Sequence, residues 1–194
     1  MGTAKDRLSR FLDHLETIFE VEPEFFPMQP KPPGLPHVVC MVYRDIPEPG
    51  SITGFTYGLS EATHPAWERG RPELTITVDS TDLAWPLAVG AVANNLRGAC
   101  PFLYGDVIDF GTAIAEESRM SAFVAFSPSI LPRERFLGIE VGGPLPIHIA
   151  GMYPLYDAEQ RVLKEMGLER FWTHPDFDMY DVTRPEVCLV GDEG

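Results

Sequence analysis

Apolar and polar residues alternate without a break from Glu73 to Asp79: Leu74, Ile76 and Val78 fall on one side of an extended chain, Thr75, Thr77 and Asp79 on the other. Successive strand side chains point to opposite faces, so this run predicts a half-buried strand. The period then changes. Ser80, Thr81 and Asp82 offer three N-cap side chains. Leu83, Leu87, Ala91 and Leu96, with Val89 and Val92 beside them, recur at helical spacing as far as Arg97-Gly98, a good C-terminal stop. Pro86 fits the first turn, where a missing N–H costs little. This strand-to-helix unit, 73–98, is the predicted centre of the fold.

A second helical stripe covers 3–20, with Leu8, Phe11, Leu12, Leu15, Ile18 and Phe19 on one side, Thr3 as cap and Asp6 as the capping-box acid. Its polar face is not rich in Lys or Arg, so it is expected to dock on the domain and not on a membrane. Prolines 23, 27, 30, 32, 33 and 36 make 22–36 an extended strap, since proline at that density sustains neither helix nor central strand. Strands are predicted at 37–43, 52–59, 121–127, 137–141 and 146–152, and an apolar, β-favouring stretch at 102–110 is interrupted by Gly105-Asp106. Residues 44–51, 61–72 (with Trp67) and 112–120 read as loops or turns. Asp157 is the expected cap of a late helix, with Gln160 at the reciprocal position, Val162, Leu163 and Met166 on its apolar side and Gly167 closing it. Phe171 and Trp172 follow in a short helical segment, then an acidic tail. The predicted class is α+β (mixed α/β): one domain, a mixed β-sheet with about three main helices packed against it. Within it, 1–22 is an N-terminal helix of the same domain, 23–36 the proline-rich connector and 37–190 the core.

Composition changes one part of this picture. A length of 194 residues and 44% hydrophobic content suit a single globular domain, but the formal net charge is −14. Such a surface repels phosphate backbones and anionic membranes, and so argues against nucleic acid or membrane as partner. It suits a basic protein, although acidity also serves solubility alone. Cys40, Cys100 and Cys188 are widely spaced with no Cys-x-x-Cys pair, which fits free thiols in a reducing compartment. With no signal-peptide pattern and no apolar run of membrane-spanning length, a cytoplasmic location is expected.

Candidate chemistry is sparse. Asp109-Phe110-Gly111 spells the metal-binding triplet of protein kinases, but no glycine-rich loop, strand lysine or catalytic-loop motif accompanies it. No nucleophile elbow, P-loop or dinucleotide fingerprint is present. Ser60, His64 and Asp79 supply the residue types of a hydrolase triad, which any chain of this size contains; a triad is defined by geometry. His174, Asp176, Asp178 and Asp181 form the densest set of possible ligands, at spacings that match neither zinc nor calcium sites, and are read as a solvated acidic loop. His148, between Ile147 and Ile149 on a strand, is expected to face away from both as a surface or partly buried histidine. No metal, cofactor or catalytic residue is assigned.

Several short motifs, in order, carry a resemblance. They are Thr56-Tyr57-Gly58-Leu59-Ser60, Pro72-Glu73-Leu74-Thr75, Trp85-Pro86 opening the helix, Gly105-Asp106, Tyr153-Pro154-Leu155-Tyr156-Asp157-Ala158-Glu159, and Asp181 followed by Arg184-Pro185. Together they span 54–187, and the chain resembles the Suppressor of fused (SUFU) domain family, in the form of a stand-alone bacterial member. The resemblance implies a non-enzymatic, protein-binding module of mixed α/β fold. Eukaryotic members sequester a transcription factor, and many bacterial members resemble immunity proteins that neutralise a polymorphic toxin. The implied partner is therefore a protein, a basic toxin domain in the leading reading. The alternatives are a regulatory scaffold that sequesters an endogenous protein and, from another class, a small metal-dependent hydrolase using 174–181. In the eukaryotic relative the Gly-Asp after the central helix lies where the partner peptide is received. This implies Asp106 as a partner-binding residue, with Tyr104 and Asp109 sharing its patch.

Overall fold

The computed structural model describes residues 6–29 and 34–189. In chain order the elements are α1 (Arg7–Glu16), β1 (Glu24–Pro27), β2 (Val39–Arg44), β3 (Ile52–Tyr57), a 3-10 turn (Leu59–Glu61), β4 (Arg71–Val78), α2 (Ala84–Leu96), β5 (Val107–Asp109), β6 (Ala122–Phe126), α3 (Arg133–Phe136), β7 (Ile147–Leu155), α4 (Asp157–Met166) and α5 (Leu168–Trp172). The seven strands form one mixed sheet in the order β1-β2-β3-β4-β7-β6-β5. Only β4 and β7 run parallel; every other pairing is antiparallel.

Helix α2 covers one face, where Trp85, Val89 and Val92 meet Leu74, Ile76, Val78, Phe123 and Met152. The opposite face carries α1, whose Phe11 and Leu15 pack with Met41, Phe55 and Ile149. Farther along that face α4 and α5 bring Val162, Leu163 and Phe171 against Ala122, Val124, Tyr153 and Leu155.

The central strand is therefore covered on both sides, not on one. Glu73, Thr75 and Thr77 are buried, and hydrogen bonds take the place of solvent: the Thr75 hydroxyl donates to the Gly54 carbonyl at 2.9 Å and Thr77 shares a 2.9 Å bond with Thr53. The polar alternation marks a satisfied interior face. Close packing of α2 on the sheet depends on Gly54 of β3. A Cβ there would stand 2.5 Å from the Cβ of Pro86.

Helix boundaries shift from the sequence expectation. Thr3 lies outside the described residues, and Asp6 is the N-cap of α1, its Oδ1 accepting the Ser9 N–H at 2.8 Å. Helix α2 starts after Leu83 with no side-chain cap. Ser80 and Asp82 instead stitch the turn before it, accepting from the N–H groups of Asp82 and Ala84. For α4 the cap position is Tyr156, not Asp157; the N3 residue Glu159 reaches back to the Tyr156 N–H at 3.0 Å, while Gln160 bonds only the Asp157 side chain.

The proline strap contains the edge strand β1, and its described remainder lies over α2: Asn94 donates to the Gln29 carbonyl at 2.7 Å and Arg97 to that of Pro36. The predicted strand at 137–141 reduces to one bridge, Ile139 with Ile147, because the preceding residues turn into the short α3. Of 102–110 only Val107–Asp109 is strand, and β7 runs on through Leu155. Among the described residues no helix is long and apolar enough to cross a membrane.

Candidate functional site

Four of the six large hydrophobic side chains that stand exposed among the described residues fall in one short stretch. They are Leu103, Tyr104, Val107 and Phe110, with Leu103 and Tyr104 about half exposed. Singly exposed apolar residues are ordinary, but a contiguous group marks an interaction surface. The stretch forms the end of the sheet: β5 pairs with β6 and, among the described residues, has no strand on its other side.

Backbone geometry makes this an open edge. The Gly105 N–H donates to the Ala125 carbonyl at 2.8 Å, the Ala125 N–H to the Asp106 carbonyl at 2.9 Å, and the Phe110 N–H to the Ser121 carbonyl at 2.8 Å. In an antiparallel ladder, residues alternate between bonding inward and bonding outward. With Asp106 and Phe110 bonded to β6, the N–H and C=O groups of Val107 and Asp109 face away from the sheet. Side chains alternate too. Ile108 opposite Phe123 belongs to the α2 face, whereas Val107 opposite Val124 lies on the α4 face.

Three grooves border the stretch, and each takes a consecutive share of it. Phe102, Leu103 and Tyr104 line a cavity of about 560 Å³ with Trp67, Gly70, His148 and Ile149. Gly105, Asp106 and Val107 line one of about 750 Å³ against Gln160, Arg161, Leu163, Lys164 and Leu168. Ile108, Asp109 and Phe110 border a third, about 220 Å³, against Val92, Asn95 and Leu96 at the end of α2. Every residue from Phe102 to Phe110 thus faces a groove.

The three residues named from the sequence lie together on this edge, each engaged differently. The Asp106 carboxylate folds back to accept the Leu103 N–H at 2.8 Å while its own N–H donates to the Leu103 carbonyl at 2.9 Å, closing a turn with Gly105 at φ +94°. Tyr104 lies edge-on to Phe126, with ring centroids 5.2 Å apart. The exposed Asp109 accepts the Gly111 N–H at 2.7 Å, a local turn in place of any kinase-like role. Leu103, Val107 and Lys164 carry no signal of their own in the sequence, and Phe110 enters there only within the kinase-like triplet. The apolar three sit in a run that reads as core until the strand is known to be an edge.

The remaining candidates are separated or structural. Ser60 and Glu73 are bonded to each other, the His64 Nδ1 accepts the Ala66 N–H, and Asp79 accepts from Ser51, so no triad assembles. Asp178 and Asp181 accept the N–H groups of Tyr180 and Thr183 in local turns, and His174 approaches Asp176 at 3.8 Å. Among the described residues no three His, Cys, Asp or Glu side chains are grouped to hold a metal ion. His148 is half-buried on the face opposite Ile147 and Ile149, its Nδ1 bonded to the Gly138 N–H at 3.0 Å. Burial pushes the Cys100 thiol up and that of Cys40 to about 12.

Comparison with known proteins places this architecture. The fold is similar to that of a SUFU homologue from Neisseria gonorrhoeae FA 1090, with a TM-score of 0.73 at 15% identity over 93% of this chain and 96% of that one. A chain of the Sufu–Fu complex matches with a TM-score of 0.66 at 12% identity, covering 94% of this chain and 92% of its own length. Drosophila Suppressor of Fused matches at 0.61 and 14% identity; 92% of this chain covers half of that protein. No curated protein matches the chain in sequence. The family description Suppressor of fused protein (SUFU) matches residues 34–186, most of the chain, so this protein belongs to the Suppressor of fused family.

Proposed function

We propose that this chain is a non-enzymatic, cytoplasmic binding protein of the immunity type, which neutralises a toxin domain by covering it. The observation that carries this reading is the edge at 102–110: outward backbone groups on Val107 and Asp109, exposed apolar side chains around them, and a groove at every step. An extended segment of a partner can add to such an edge as a further strand, the ladder giving affinity and the flanking pockets specificity. A chain of this fold occurs in the Sufu–Fu complex, which supports protein binding as the activity. The net charge of −14 favours a basic partner by steering encounter. Asp106 holds the turn that presents the edge, Tyr104 flanks it, and Asp109 offers the outward N–H.

The test is co-expression with the protein encoded beside this gene. Under this reading the neighbour alone arrests growth and the pair restores it, and Asp109→Pro, which removes one outward N–H without touching the β6 ladder, abolishes rescue while the thermal melt is kept. A harmless neighbour that still binds this chain at the same edge would favour the sequestering scaffold. Rescue by Asp109→Pro at full strength would remove the edge from the interface.

A further inference from the structure

The edge has two sides, and they differ in charge. On the α2 side the neighbours of Ile108 and Phe110 are Val92, Asn95 and Leu96. On the α4 side, the groove of about 750 Å³ has Val107, Leu163 and Leu168 as apolar surface and Arg161 and Lys164 on its wall. Arg161 and Lys164 are three apart on α4 and so share a helix face. Both are exposed. Arg161 already divides its charge with Glu165, at 3.8 Å. The one carboxylate of the groove, Asp106, is turned back on the Leu103 N–H. With Arg161 shared with Glu165 and Asp106 committed to its own turn, the Lys164 ammonium is the charge this groove offers a ligand.

A strand added to β5 would lie roughly 4.8 Å beyond it, with alternate side chains over the α4 face beside Val107. We infer that this groove receives an acidic side chain, a glutamate of the docking partner strand, whose methylenes cover Val107 and Leu163 and whose carboxylate meets Lys164. The inference rests on the edge reading above and adds the residue that fixes register. It is compatible with a basic partner overall: net charge steers encounter at long range, while Lys164 discriminates at contact. A lysine or arginine at the same position would face the Lys164 ammonium.

The experiment uses the full chain and synthetic strands Thr-Val-Thr-Val-X-Val-Thr-Val-Thr, with X as Glu, Gln or Lys, read by fluorescence anisotropy. The Glu peptide is expected to bind about tenfold tighter than the Lys peptide with Gln between them, Lys164→Gln to flatten the series, and Lys164→Glu to reverse it. Asp109→Pro should weaken all three. Peptides that bind and respond to Asp109→Pro but ignore X, or keep their order in Lys164→Glu, would overturn the glutamate assignment and leave the docking edge standing. Absence of binding, or binding indifferent to Asp109→Pro, would overturn the edge and the assignment with it.

Discussion

Ser60 donates twice to one oxygen of Glu73: its N–H reaches Oε1 at 2.9 Å and its hydroxyl at 2.7 Å. The Gly58 N–H adds a third bond to Oε1 at 2.8 Å, and the Thr56 hydroxyl binds Oε2 at 2.7 Å. A fully buried carboxylate on the central strand therefore holds the end of β3 and the 3-10 turn after it. Gly58 is part of the device. Its φ is +117°, and a Cβ there would stand 2.6 Å from the His37 carbonyl oxygen. Residues of the 56–60 motif and Glu73, both part of the family resemblance, thus form one hydrogen-bonded unit.

Two of the groups around Oε1 are backbone N–H donors, so that oxygen must accept, whereas Oε2 meets the Thr56 hydroxyl, which can both donate and accept. Burial pushes the carboxyl pKa up, and the bonds from Ser60, Thr56 and Gly58 pull against it. Glu73→Gln can keep an acceptor at Oε1 but turns its amide NH2 toward the Thr56 hydroxyl, which already accepts the Leu74 N–H at 2.8 Å. It should cost about 1–3 kcal/mol in urea unfolding, and Ser60→Ala about 1 kcal/mol. An unchanged midpoint in Glu73→Gln would show that the carboxylate does not anchor the turn.

A second buried carboxylate does the same for the C-terminal segment. Glu159, with no exposure, pairs with buried Arg184 and also accepts the N–H groups of Tyr156 at 3.0 Å and Val187 at 2.8 Å. Arg184 in turn lies 5.5 Å from the Tyr156 ring centroid and 4.8 Å from that of Phe177. Removing one partner strands the other charge, so Arg184→Ala should destabilise by about 3–5 kcal/mol, while Glu159→Met with Arg184→Met should recover much of that loss. If the double variant is as unstable as the single one, the backbone bonds of Glu159 and not the ion pair hold the segment.

Local rules made some of this legible and long-range pairing hid the rest. The period change at Ser80 located β4 and α2 because alternation and helical spacing are properties of neighbouring residues. Whether Thr75 and Thr77 meet water or a second layer is decided by segments far off in the chain, such as Pro128, Ser129 and Ile130, which line one small cavity with both threonines, so a half-buried strand was the natural but mistaken reading. The candidate site shows the same division. Gly105-Asp106 could be named, since a turn is a local object. The exposure of Val107 and Phe110 depends on β5 ending the sheet, and strand order is fixed by pairings such as β4 with β7 that no local pattern encodes. Lys164 bears on the site only because α4 stands beside that edge.

Close approach of α2 to the sheet gives a prediction about volume. The space for a methyl group at Gly54 is already filled by Pro86, whose Cα would be 3.3 Å from the new atom and whose ring cannot rotate away. Gly54→Ala should therefore destabilise by about 1–3 kcal/mol, against the usual gain from replacing a strand glycine. Thermal melting checks the sign. A stabilised variant would mean that α2 rides outward at little cost.

The last prediction concerns pH and the thiol under α2. Cys40 is fully buried, its Sγ 3.2 Å from the Pro86 carbonyl oxygen, and burial raises its pKa from 9.0 to about 12. In the unfolded chain the thiol ionises from about pH 9, so between that value and about 12 the unfolded state binds fewer protons than the folded one. Stability contributed by Cys40 is fully present below pH 9 and falls as pH rises through this window, by about 1.4 kcal/mol per unit. Buried tyrosines add a similar slope, which cancels on comparing the wild type with Cys40→Ala. The stability difference between the two should thus be constant from pH 7 to 8.5 and shrink by about 1 kcal/mol near pH 10, with Cys188, which is exposed, alkylated throughout and Cys40 protected until unfolding. A difference that stays flat to pH 10.5 would show that Cys40 ionises as easily inside the fold as outside it.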